Sequence, residues 1–118
     1  MAVSSDGENA YVANTGAGTP TGATISVFGD SPSGNLTLKQ VTPQVVVFPF
    51  PPPSGTTEFA KTDLVLSSDD NYLYVVSPGV FTPASHIDMY SVNDDGTLTL
   101  FGSTPSTLAG GLSGLVAR

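Results

Sequence analysis

The sequence predicts an all-β chain made of two four-stranded antiparallel units, and three observations carry that prediction. First, Ser4-Ser5-Asp6-Gly7-Glu8-Asn9-Ala10-Tyr11-Val12-Ala13-Asn14 returns as Ser67-Ser68-Asp69-Asp70-Asn71-Tyr72-Leu73-Tyr74-Val75-Val76-Ser77, an offset of 63 residues. Second, Ile25-Ser26-Val27-Phe28 returns as Ile87-Asp88-Met89-Tyr90, and Gly34-Asn35-Leu36-Thr37-Leu38 as Gly96-Thr97-Leu98-Thr99-Leu100, both at an offset of 62. Third, 13 glycines and 10 prolines are spread along the chain, which suits short strands and tight connections and opposes long helices. The best helical stretch, 108–116, contains Gly110, Gly111 and Gly114, each costing about 1 kcal/mol in a helix. Self-similarity at this period, in strand-forming sequence, points to the blades of a propeller or array.

Each element follows from local chemistry. Residues 1–4 read as a first strand, A, turned by Asp6-Gly7, a pair that supplies the positive φ values of a tight hairpin. Residues 10–13 form strand B, 24–28 strand C and 36–41 strand D, with the C–D turn at Gly29-Asp30-Ser31-Pro32-Ser33-Gly34. The second unit repeats the plan at 63–67, 72–76, 86–92 and 97–102, its last turn being Asn93-Asp94-Asp95-Gly96. Residues 114–118 then read as strand A of a further unit, so the expected organisation is blade 1 at 1–44, an insertion at 45–62, blade 2 at 63–103, and a linker with a trailing strand at 104–118. The insertion holds Val45, Val46, Val47, Phe48, Phe50 and the run Pro51-Pro52-Pro53. Its β-branched residues favour extended backbone, its prolines bar it from a central strand, and its apolar surface calls for something to cover.

Composition removes several function classes. Ten acidic residues against three basic ones, Lys39, Lys61 and Arg118, give a net charge of −7. Phosphate neutralisation needs clustered Lys and Arg, so nucleic-acid binding is excluded, and anionic membrane surfaces are disfavoured by the same sign. Without cysteine there is no disulfide, thiol catalysis or cysteine-based zinc site. No stretch approaches a membrane span, and residues 1–4 carry no signal-peptide pattern. The acidic, lysine-poor, Ser/Thr-rich composition leans towards an extracellular or cell-envelope location.

The first repeat, Ser5-Asp6-Gly7 followed by Tyr11-Val12-Ala13-Asn14, resembles the YVTN-type repeat of lactonase-like (6-phosphogluconolactonase-like) β-propellers, with Ala13 in place of Thr. The second copy departs at Asp70, where the pattern has Gly, and at Ser77, where it has Asn. The resemblance covers nearly the whole chain outside 45–55. It implies rings of six or seven blades, some of them lactone hydrolases with Glu, His and Arg side chains in the central channel. Two blades are roughly a third of such a ring, and a stack normally needs about three repeats to be stable. The expected architecture is therefore an incomplete β-propeller, completed by other chains or by further sequence.

Strand reversal puts the B–C and D–A connections on one side of each blade and the A–B and C–D turns on the other. The long loops and the insertion all belong to the first side, which is where a site is expected. His86 is the only histidine; it enters strand C, with Asp88 on the same strand face by period-2 alternation, so the two are the weak candidates for general base and orienting carboxylate. The blander reading makes His86 a partly exposed loop-edge residue. Asp69-Asp70-Asn71 and Asn93-Asp94-Asp95-Gly96 lack the late Glu of a calcium loop and read as turns, so no metal or cofactor is expected. Tyr11, Tyr74, Phe28 and Tyr90 recur in equivalent positions and read as inter-blade packing. The binding surfaces expected are Val45, Val46, Val47, Phe48 and Phe50, together with Leu115 and Val116 of the trailing strand. The sequence thus reads as a non-enzymatic propeller-type module that self-associates or belongs to a larger propeller, working through open strand edges and the apolar insertion. The alternative is a fragment of a lactonase-like hydrolase.

Overall fold

The computed structural model describes residues 1–15, 23–31, 33–43, 60–78, 85–104 and 115–117. Eight strands follow one another: β1 (Ala2–Val3), β2 (Asn9–Ala13), β3 (Ile25–Asp30), β4 (Leu36–Val41), β5 (Asp63–Leu66), β6 (Tyr72–Ser77), β7 (His86–Val92) and β8 (Leu98–Ser103). They form two four-stranded antiparallel meanders, β1-β2-β3-β4 and β5-β6-β7-β8. No helix occurs among the described residues. The repeat extends to its irregularities. A bulge after Val27 makes Lys39 the extra residue of β4, and a bulge after Met89 makes Phe101 the extra residue of β8.

The Ser-x-Asp turns show why that tripeptide repeats. Asp6 Oδ1 accepts the Ser4 hydroxyl at 2.6 Å and the Glu8 N–H at 2.9 Å. Asp69 Oδ1 accepts the Ser67 hydroxyl at 2.5 Å and the Asn71 N–H at 3.2 Å. These donors, the serine hydroxyl foremost, hold both carboxyls below the usual aspartate range. Gly7 sits at φ +77° and its counterpart Asp70 at φ +56°, a left-handed position that Asp tolerates better than most side chains. The departure from glycine has a use: Asp70 Oδ2 accepts the N–H of Ser5, in the turn between β1 and β2, at 2.6 Å.

The sheets pack face to face on one core. Tyr11, Ile25 and Val27 come from the first sheet, Leu64, Leu73, Val75, Tyr90 and Leu98 from the second. Polar contacts stitch the seam: Tyr11 OH donates to Gly96 O at 3.1 Å, Lys39 Nζ to Asp95 O at 2.9 Å, and the Gln40 amide makes two bonds with the Leu98 backbone, at 3.0 and 2.7 Å. Apart from one isolated bridge, Thr15–Ala60, no backbone ladder joins the sheets among the described residues. What holds these two blades together is apolar area on their broad faces, because inward side chains recur at every second strand position.

The equivalent aromatics divide accordingly. Tyr11 and Tyr90 face the shared core, at 1% and 2% exposure, whereas Tyr74 and Phe28 are only partly buried. Residues 115–117 are not among the eight strands. The Leu115 N–H donates to Asp63 Oδ2 at 2.8 Å and Val116 is exposed; the sequence expects these residues to start a further blade, and they pair with neither described sheet.

Gly96 is the tightest point of the seam. It takes φ +82°, and a Cβ there would lie 2.2 Å from Asn9 Oδ1; that oxygen is itself held by Lys39 Nζ at 2.8 Å. Gly34, its repeat mate at φ +76°, has nothing within 4 Å of the same position. Gly34→Ala is expected to cost about 1 kcal/mol, the left-handed penalty alone. Gly96→Ala is expected to cost about 1 kcal/mol more, the excess being the displaced Asn9–Lys39 contact. Urea denaturation of the pair measures the difference, and equal losses would refute the assignment.

Candidate functional site

On the loop-bearing side of the second sheet, four polar side chains meet at one carboxylate. The start of β7 brings His86 and Asp88 to the face that packs on the first sheet, the end of β6 brings Ser77, the end of β8 brings Ser103, and the segment leading into β5 brings Lys61. Asp88 and Lys61 are fully buried, with side chains at 0% exposure. Asp88 Oδ2 lies 2.5 Å from Lys61 Nζ and 3.3 Å from the Ser77 hydroxyl; Oδ1 accepts the Ser103 hydroxyl at 2.5 Å and faces His86 Nε2 at 3.5 Å. Lys61 Nζ also lies 3.3 Å from Ser77 Oγ and 5.9 Å from the centre of the Tyr90 ring, a cation–π distance.

The sequence places His86 and Asp88 on one strand face, and the structure brings them together there. Its blander expectation for His86 is corrected: the residue is buried, at 6% exposure, on the strand face it shares with Asp88 and Tyr90. Lys61 is the residue sequence reasoning missed. It stands in a connecting segment where lysine normally solvates, and nothing in its neighbours Ala60 and Thr62 marks it as internal. The available signal was Asp88 itself. A carboxylate in a strand position whose repeat mate, Ser26, is neutral needs a cation when buried, and the chain holds only three basic residues.

Blade 1 shows the neutral form of the same arrangement. Asn14, Thr24 and Ser26 occupy the places of Ser77, His86 and Asp88, and Asn14 Nδ2 donates to Thr24 Oγ1 at 3.0 Å and to Ser26 Oγ at 2.8 Å. Both blades then close with a threonine, Thr42 or Thr104, whose hydroxyl accepts the N–H of Ile25 or Ile87 at 2.9 Å. The scaffold is constant; the charge is particular to blade 2.

Chemically, the Asp88 carboxylate is neutralised by Lys61 and further occupied by two hydroxyls, which fits a buried ion pair better than a base waiting for substrate. Among the described residues, two open clefts lie apart from this cluster. One open cleft of about 430 Å³ is lined by Glu8, Asn9, Lys39, Asp94, Asp95 and Thr97 on the turn side, and another of about 310 Å³ by Gln40, Thr42, Pro43, Tyr90 and Leu98 to Leu100. Among the described residues no three His, Asp or Glu side chains group as metal ligands would. Val45, Val46, Val47, Phe48 and Phe50 lie outside the described residues.

With the architecture in place, two face-packed antiparallel blades define an all-β, propeller-like unit. Neither a family model nor a curated protein sequence matches the chain. Solved structures do. A candidate 6-phosphogluconolactonase from Bacteroides fragilis aligns with a TM-score of 0.65 and 25% identity over 87% of this chain and 24% of its own. A second, from Bacteroides uniformis, aligns with a TM-score of 0.66 and 23% identity over 91% of this chain and 26% of its own. The fold is thus similar to that of lactonase-like, propeller-type proteins, and the chain spans about a quarter of the length of the structures it matches.

Proposed function

We propose that this chain is a two-blade portion of a lactonase-like propeller that serves as a non-catalytic structural or binding unit and associates with further blades. The observation that supports this most is the state of the ionisable cluster on the loop-bearing side: Asp88 is buried, paired with Lys61 and hydrogen-bonded to Ser103. A buried pair of that kind organises a fold, whereas catalysis needs a group within reach of a substrate proton. Exposed apolar side chains on the outer faces, Val3, Leu38 and Val41 on one and Tyr72 and Phe101 on the other, support association with more blades. In this reading the 45–53 segment, Val45 to Phe48 and Phe50 among it, covers apolar surface, and an exported, acidic protein is its natural setting.

A hydrolase fragment is the second reading, favoured by the lactonase-type neighbours and by His86 Nε2 lying 3.5 Å from Asp88 Oδ1. Incubating the purified chain with 6-phosphogluconolactone, with pH-stat detection, separates the two. No hydrolysis above the buffer rate is the expected result. Turnover that disappears in His86→Ala would instead establish the hydrolase.

A further inference from the structure

We infer that blade 2 presents its free face to blade 1 of a second copy of this chain, in a head-to-tail contact that reuses the geometry of the internal seam; the inference rests on the assembly reading above. The internal seam joins two different faces. Blade 1 contributes the side of β2 carrying Tyr11, and blade 2 the side of β7 carrying Tyr90 and the adjoining turn carrying Gly96. Because the blades repeat, each has one face of the other kind that no described strand of the chain packs against. Blade 2 keeps the β6 side carrying Tyr74, and blade 1 keeps the β3 side carrying Phe28 and the turn carrying Gly34.

Those leftover faces match in detail. Tyr74 pairs across the sheet with Met89 as Tyr11 pairs with Val27. The receiving turns are the same structure: Ser31 and Asn93 each accept the N–H of the glycine three residues on at 2.8 Å, and Gly34 and Gly96 sit at φ +76° and +82°. The Tyr74 hydroxyl is therefore placed to donate to Gly34 O of a second copy, as Tyr11 OH donates to Gly96 O at 3.1 Å within the chain. Where the seam uses Asn9 and the bulge residue Lys39, blade 2 carries Tyr72 and the bulge residue Phe101, in edge-to-face contact at 5.8 Å. Opposite them blade 1 offers Leu36 and Leu38, both more than half exposed, so a polar latch is exchanged for an apolar one. The polar groups this contact would bury on blade 1, Asn14, Thr24 and Ser26, already satisfy one another.

Two different faces meeting give a heterologous contact, which propagates from copy to copy until it closes. That predicts a specific complementation. Leu38→Asp blocks one face and Phe101→Asp the other, and both positions are exposed, at 58% and 55%, so each variant folds as the parent does. By sedimentation velocity the parent is expected to form oligomers that dissociate on dilution, each variant alone to be monomeric, and their mixture to give a 1:1 dimer, because one intact face of each kind remains. Tyr74→Phe is expected to raise the dissociation constant about fivefold to tenfold, the loss of one neutral hydrogen bond. A parent that stays monomeric at every concentration overturns this inference and the assembly reading together. A parent that assembles, beside variants that still self-associate or a mixture that stays monomeric, overturns the head-to-tail contact alone.

Discussion

Lys61→Met is expected to destabilise the chain by about 3–5 kcal/mol, because it leaves the Asp88 carboxylate buried without its cation. Asp88→Leu should cost a similar amount by stranding Lys61 Nζ, which lies 2.5 Å from the carboxylate. The revealing experiment is the rescue. Blade 1 fills the equivalent positions with Asn14, Thr24 and Ser26 and bonds them without any charge. Lys61→Met combined with Ser77→Asn, His86→Thr and Asp88→Ser transplants that solution, and is expected to return to within about 1 kcal/mol of the parent, since a buried pair is often no more stable than a satisfied neutral replacement. Urea denaturation at one fixed protein concentration measures all of these, the concentration being fixed because association adds to apparent stability. If Lys61→Met alone unfolds at the parent's midpoint, the pair is not buried as described.

The contrast between the blades also explains how far the sequence could be read. All eight strands were legible within a residue or two, because each combines a repeated turn signal with β-branched or aromatic residues, and a duplicated pattern is read twice. The face shared by His86 and Asp88 was legible from alternation alone. Burial was not. Whether Tyr11 and Tyr74, identical in the repeat, end up enclosed or partly open depends on which neighbour a blade has, and no local pattern encodes a neighbour. Lys61 was illegible for a related reason: it enters the core from a connecting segment, outside any periodic element, and its partner lies 27 residues away. Asp70 carried a visible clue, since a non-glycine residue where the repeat calls for glycine needs a return on its backbone cost, and the structure supplies one in the bond from Ser5.

Tyr11 carries the second large effect. Tyr11→Ala is expected to cost about 3–5 kcal/mol, the range for emptying a large buried aromatic site, while Tyr74→Ala, at the matching but half-open position, should cost about 1–2 kcal/mol. Tyr11→Phe isolates the hydroxyl and should cost about 1 kcal/mol, one neutral hydrogen bond to Gly96 O. The same hydroxyl gives an alkaline signature. Its pKa is pushed from 10.0 up to about 12, first by burial and then by the negative charges of Asp70, Asp6 and Asp95. A phenol whose folded value lies above its unfolded value is protonated in both states below pH 10 and contributes no slope there; between pH 10 and about 12 the unfolded chain releases its proton first, so stability falls as pH rises. Comparing the parent with Tyr11→Phe across that window removes the contribution of the other tyrosines. The parent should lose more stability than the variant, and parallel curves would mean that the Tyr11 hydroxyl is not enclosed between the blades.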